Sequence, residues 1–162
     1  MKISAQDEYG LRVLIRIARN DQEEGLSITQ LCDAEGLSQS YMAKVTRTLR
    51  MAGFIESTRG PKGGYVLAKA PEDIHINQVL DALGGALFDD SFCNAHTGGL
   101  QICTNSVDCS VRSLWRIIQI ALDSVLERVT LKDLLGSEAN SDNLLQRILD
   151  ESIVLPEGSL KD

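Results

Sequence analysis

The chain is 162 residues long, 43% apolar and 24% charged, with a formal charge of −7; this is enough for one ordinary globular domain, or a small domain with a helical arm, and too little for a large buried enzyme cleft. Its longest apolar runs are a few residues, and no basic segment followed by a long apolar stretch opens it, so neither a transmembrane helix nor a signal peptide is expected. The expected location is the cytoplasm, where four cysteines favour ligation or redox chemistry over structural disulfides.

The charge is unevenly spread. Residues 1–70 carry ten Lys and Arg against eight Asp and Glu, whereas residues 71–162 carry six against fifteen. Between residues 40 and 70, Lys44, Arg47, Arg50, Arg59, Lys62 and Lys69 face a lone Glu56. Contacts to phosphates need clustered cations rather than a basic total, so this stretch is either the footprint of a polyanion or a basic solvated face.

From Asp7 to Ala18, Leu11, Leu14, Ile15 and Ala18 recur at the spacing of one helical face. Ser27 with Gln30 three places on is a capping box that opens a short second helix, which Gly36 ends. Ser38 is the expected N-cap of a third helix over 39–51 that buries Met42, Val45 and Leu49. Phe54–Thr58 and Tyr65–Leu67 read as two short strands around the turn-rich Gly60-Pro61-Lys62-Gly63-Gly64. A fourth helix is expected over 75–83, with Ile76, Val79, Leu80 and Leu83 inward. Residues 86–109 have no sustained period and read as a loop. From Ser110 to Val129, Val111, Trp115, Ile118, Leu122, Val125 and Val129 form a heptad-like seam, and Leu114, Ile117 and Ala121 add a second stripe; such a helix faces its own domain and a partner subunit. In the acidic tail, Leu144, Leu145, Ile148 and Leu149 allow one or two amphipathic turns before a mobile end.

Two helices joined by a tight turn, then a hairpin with a basic tip, make a winged helix-turn-helix. The expected fold is mainly α with a small β-hairpin. It divides into a DNA-binding domain over 1–70, a cysteine loop with a dimerisation helix over 71–135, and a tail over 136–162. A recognition helix places its N-terminal side chains on base edges while flanking cations hold phosphates. Ser38, Gln39, Ser40 and Tyr41 suit the first role, and Lys44, Arg47 and Arg50, which follow at spacings of three, suit phosphate or guanine contacts. In the wing, Arg59 stands directly before the Gly60-Pro61-Lys62-Gly63-Gly64 turn, narrow enough to carry a guanidinium into the minor groove with Lys62 at its tip; a generic hairpin tip is the competing account. No paired carboxylates, nucleophile-base couple or phosphate-binding glycine loop stands in a catalytic context, so neither an enzyme nor a small-molecule substrate is expected.

Leu37-Ser38-Gln39-Ser40-Tyr41-Met42, with Leu49-Arg50 and then Arg59-Gly60-Pro61-Lys62-Gly63-Gly64-Tyr65-Val66-Leu67, closely resembles the bacterial winged-helix regulator family that includes IscR, NsrR and CymR. The resemblance runs from Met1 to about Leu135. It implies a homodimer with crossed long helices that recognises a palindromic promoter site, with Ser38, Ser40, Tyr41 and Arg59 among the DNA contacts.

The cluster-sensing members carry three cysteines between the fourth helix and the long helix, where Cys93, Cys103 and Cys109 stand. The resemblance therefore implies an iron-sulfur cluster, and soft thiolates on a pliable loop suit one. The spacing here is C-x9-C-x5-C, against C-x5-C-x5-C in the IscR type, which leaves [2Fe-2S] and [4Fe-4S] both open. The IscR type has a histidine three places after its last cysteine, whereas this chain has Arg112, which offers a metal no lone pair. Other members take a carboxylate from the first helix of the opposite subunit; Glu8 matches that position, with His96 and then Asp7 as alternatives. Cys32, among apolar neighbours, reads as a small core residue. A zinc or thiol-disulfide switch on the same cysteines, and a winged helix directed at a protein partner, are the competing readings.

Overall fold

A computed structural model describes residues 3–21, 24–58, 60, 63–86, 88, 92–95 and 107–153. Seven α-helices and a two-stranded sheet make up these residues, in the order α1 Ala5–Ala18, α2 Ile28–Glu35, α3 Gln39–Met51, β1 Ile55–Ser57, β2 Tyr65–Leu67, α4 Ile76–Leu83, α5 Phe92–Ala95, α6 Ser110–Leu126 and α7 Glu138–Ile153. Short 3₁₀ turns at Pro71–Asp73 and Leu131–Leu134 join them. The fold is mainly α with a small antiparallel hairpin, as the patterning predicts.

Local chemistry sets the helix ends. Ser4 with Asp7, and Ser27 with Gln30, form reciprocal capping boxes at the starts of α1 and α2. Gly36 closes α2 at φ 68°, a left-handed conformation in which a Cβ is costly, so the chain turns directly into α3. In the sheet, Ile55 pairs with Leu67, Glu56 with Val66 and Ser57 with Tyr65.

The core is one cluster. Leu31 of α2, with Met42, Val45 and Leu49 of α3, packs against Val13, Leu14 and Ile17 of α1, and Ile76, Val79 and Leu83 of α4 complete that layer. The buried stripe of α1 is therefore rotated from the expected one: Gly10, Val13, Leu14 and Ile17 are buried, while Leu11, Ile15 and Ala18 lie at its edge. Helices α2 and α3 cover one flank and α4 the other, so the covered arc is wider than a single i, i+3, i+4 row.

Three features depart from the expected organisation. The cysteine segment contains a four-residue helix, α5, rather than loop alone. Val129 belongs to no seam: α6 ends at Leu126, and Val129 is buried in the core beside Leu131. The tail forms a helix of 16 residues, four turns and not one or two, because Leu144, Leu145 and Ile148 meet the same core. Its acidic residues fall on the outer face.

Candidate nucleic-acid interface and cysteine segment

Helix α3 is held from below by four residues with no exposed surface, Met42, Val45, Thr46 and Leu49. Thr46 is admitted there because its hydroxyl donates to the carbonyl of Met42 at 2.9 Å. What remains outward is the set nominated for DNA: Ser40, Lys44 and Arg47 fall at i, i+4 and i+7 on one exposed face, with Arg50 beside them. Ser38 has the expected N-cap geometry, its Oγ accepting from the Tyr41 N–H at 3.3 Å and lying 3.2 Å from Ser40 Oγ. Tyr41 is half-buried, its ring edge-on to that of Tyr9.

The wing is tied to the body at its base. Thr58 Oγ1 donates to the Glu24 carbonyl at 2.7 Å and accepts from the Gly64 N–H at 2.7 Å. Leu26 and Tyr65 exchange two backbone hydrogen bonds, Leu26 N–H to Tyr65 O at 3.1 Å and Tyr65 N–H to Leu26 O at 2.8 Å. Gly64 lies so close that a Cβ on it would sit 2.6 to 2.7 Å from the Leu26 backbone. No side chain fits there. Arg59 and Lys62 lie outside the described residues, so the wing's base is defined and its nominated contacts are not.

In the cysteine segment, Cys93 stands in α5 and Cys109 is the N-cap of α6, its Sγ accepting from the Arg112 N–H at 3.4 Å. Both are half-buried and neither is in a disulfide, while Cys32 is buried as expected. Cys103 and His96 lie outside the described residues. Glu8 is exposed and pairs weakly with Arg12 at 3.9 Å. Asp7 spends one oxygen on the Ser4 N–H, at 2.9 Å, and its other oxygen is buried without a hydrogen-bond partner.

Asp7 and Glu8 line a groove of about 300 Å³ between α1, α4 and α6, together with Leu80, Leu122, Asp81 and Asp123. Desolvation, and secondarily the charge of Asp123, raises the Asp81 carboxyl above its ordinary value. Among the described residues, no three His, Cys, Asp or Glu side chains gather closely enough to hold a metal.

Helix α6 itself has no buried residue. Ile117 and Ile120 are 64% and 61% exposed, and Val111 and Leu114 more than half so. No helix of the described residues is long and apolar enough to cross a membrane.

A family model described as Rrf2, iron-dependent transcriptional regulator, matches residues 3–137. The chain belongs to the Rrf2 family. Among Rrf2-type relatives it is 34% identical over 135 residues to protein rrf2 of Nitratidesulfovibrio vulgaris, covering 83% of this chain and 87% of that one. It is 28% identical over 150 residues to the HTH-type transcriptional regulator IscR of Aliivibrio salmonicida, covering 93% and 83%. The solved structure of CymR (YrzC), the global cysteine regulator of B. subtilis, superposes with a TM-score of 0.65 at 29% identity, over 83% of this chain and 96% of that one. The resemblance read from the recognition helix and wing is thereby shown, and the protein is a transcriptional regulator of the Rrf2 type.

Five side chains that brace α3 and the wing have no counterpart in the sequence reading. Thr58 anchors the wing, and Tyr9, Arg12, Arg16 and Glu35 link α1 to α2 and α3. The Tyr9–Tyr41 and Arg–Glu35 partners lie 19 or more residues apart, beyond any local pattern.

Proposed function

We propose that this Rrf2 regulator is a dimeric, promoter-binding protein that reports redox, iron-sulfur or nitric oxide status through an iron-sulfur cluster bound by Cys93, Cys103 and Cys109, with Glu8 of the opposite subunit as fourth ligand. Residues 1–70 supply the DNA contacts, through Ser38, Ser40, Tyr41, Lys44, Arg47 and Arg50 on α3 and Arg59 and Lys62 in the wing. Residues 71–135 supply the cysteines and the dimerisation helix. DNA reading is supported by the outward face of α3, where hydroxyls at the first turn precede cations, the order that base and phosphate contacts require.

One observation carries the sensing part. The two described thiols of the segment are uncrosslinked and half-buried, one in α5 and the other capping the helix that presents the apolar face. Soft donors of this kind fit iron-sulfur chemistry, and a bound cluster would supply an oxidisable, nitric-oxide-reactive centre at that point. The role of this chain's own residues is then mechanical. Cys109 already engages the first turn of α6, so any rearrangement of its sulfur is felt by that turn, and through α6 by the two heads. Likeness to CymR, named as a cysteine regulator, favours a second reading in which the same cysteines act as a thiol-disulfide or zinc switch without iron.

Anaerobic purification followed by visible absorption, iron, acid-labile sulfide and zinc analysis separates the two. A brown protein holding iron and sulfide, colourless as the Cys93, Cys103 and Cys109 triple serine variant, supports the cluster. Stoichiometric zinc or no metal overturns it. Salt-dependent, sequence-selective binding to a DNA duplex tests the interface, since phosphate contacts release counterions and a surface built only for protein partners gives no selective complex.

A further inference from the structure

Among the described residues Glu35 is the only buried charged residue, with 2% of its side chain exposed. Both its oxygens are taken by guanidinium groups of α1. Arg12 Nε donates to Oε2 at 2.7 Å, while Arg16 donates to Oε1 through Nε at 3.1 Å and Nη2 at 3.0 Å. Charge-assisted bonds to a carboxylate removed from water are directional, and a slip of α1 against α2 would strand that charge. The pairing therefore fixes where Arg12 stands.

Arg12 in turn lies over the ring of Tyr9, 5.5 Å from its centroid. Tyr9 meets Tyr41 edge to face, with centroids 5.9 Å apart and planes at 81°. Tyr41 is in the first turn of α3, where the helix enters a groove. A continuous line of contact thus runs from a buried carboxylate on α2, through two side chains of α1, to a ring at the reading end of α3.

We propose that Tyr9, braced by Arg12 and Glu35, is a positioning residue that fixes the pose of Tyr41 and thereby sets sequence selectivity. The inference rests on the DNA-binding reading of α3 and goes beyond it by naming residues outside the proposed DNA contacts. A half-buried tyrosine without its ring neighbour can rotate away from the groove. Lys44, Arg47 and Arg50 are exposed on the same helix, and in this reading their phosphate contacts form whether Tyr41 is placed or not, so the effect falls on discrimination and not on general affinity.

The test titrates the full chain by fluorescence anisotropy against the best duplex that the wild type selects from a randomised pool, and against a shuffled duplex of equal composition. Tyr9→Leu is expected to cut the ratio of the two affinities by about two- to twelvefold, the worth of one aromatic pair, with binding to the shuffled duplex and its salt slope unchanged. Tyr9→Phe, which keeps the ring, restores the ratio, and Arg12→Lys, which keeps the charge but loses the planar fork, falls between. Thermal unfolding of each variant accompanies the titrations. If Tyr9→Leu does not fold, Tyr9→Met, of similar reach without a ring, is judged by the same ratio. Equal loss on both duplexes, or no loss, overturns the positioning role and leaves the DNA reading standing. A wild type that enriches no sequence overturns both.

Discussion

Gly64 shows how little freedom a single residue has at the base of the wing. Its missing Cβ is what lets the hairpin lie against the Leu26 backbone, and Thr58 then clamps the same amide. Gly64→Ala is expected to destabilise the fold by about 1–3 kcal/mol, the usual size of an overpacking penalty against backbone that cannot yield. Gly36→Ala meets open space and bears only its left-handed φ of 68°, a cost of about 1–2 kcal/mol. Denaturant unfolding of the two variants, with the wing contact to Leu26 lost only in the first, checks the difference. Some residues with local roles were legible beforehand, though the Ser4–Asp7 box was not among them. Ser27 and Ser38 cap as read, because a hydroxyl before an apolar period has few other uses. Glu35 was not, since a carboxylate is silent until two helices bring Arg12 and Arg16 to it.

At the scale of elements, α6 is the part whose sequence and surroundings disagree most openly. It carries apolar residues on more than one side and buries none of them. Burying apolar area is worth about 25 cal/mol per Å², so a second copy of this chain covering Ile117 and Ile120 gains stability that the lone chain lacks. Ile117→Asp places a charge in that patch and is expected to shift the protein from dimer to monomer by light scattering, with helix content by circular dichroism unchanged. A variant that stays dimeric removes α6 from the interface. The periodicity of α6 was readable, yet its end was not: Val129 continues the heptad count but obeys the core. Helix α7 hid for the opposite reason. Its acidic outer face resembles a solvated tail, and only the arrival of Leu144, Leu145 and Ile148 at the core makes it a helix worth forming.

Over the whole molecule, the threefold division expected from the sequence does not divide the core. A single core takes Leu14 from the first part, Val79, Val129 and Leu131 from the second and Ile148 from the third. Removing residues 138–162 should therefore lower the thermal midpoint, since uncovering one large apolar side chain alone costs about 1.5–3 kcal/mol. The preference for a selected duplex over a shuffled one should survive, because the nominated contacts on α3 lie in 38–50. A truncated chain that melts with the full one would show that α7 contributes no stability. The recognition helix and hairpin were legible because turn chemistry and basic residues mark them locally. The groove between α1, α4 and α6 was not, for it exists only where three distant segments meet.

The far end of α6 is fastened. Ile76 N–H bonds to Val129 O at 2.9 Å and Leu131 N–H to Ile74 O at 2.8 Å, just past the helix, and both Val129 and Leu131 are sunk in the core. Swinging the arm on its head would break two backbone bonds and wet two core residues, so that joint resists bending. In a two-fold pair the angle at which two such arms cross is delivered to the heads without slack. The distance between the grooves they can occupy together then becomes a property of that crossing alone.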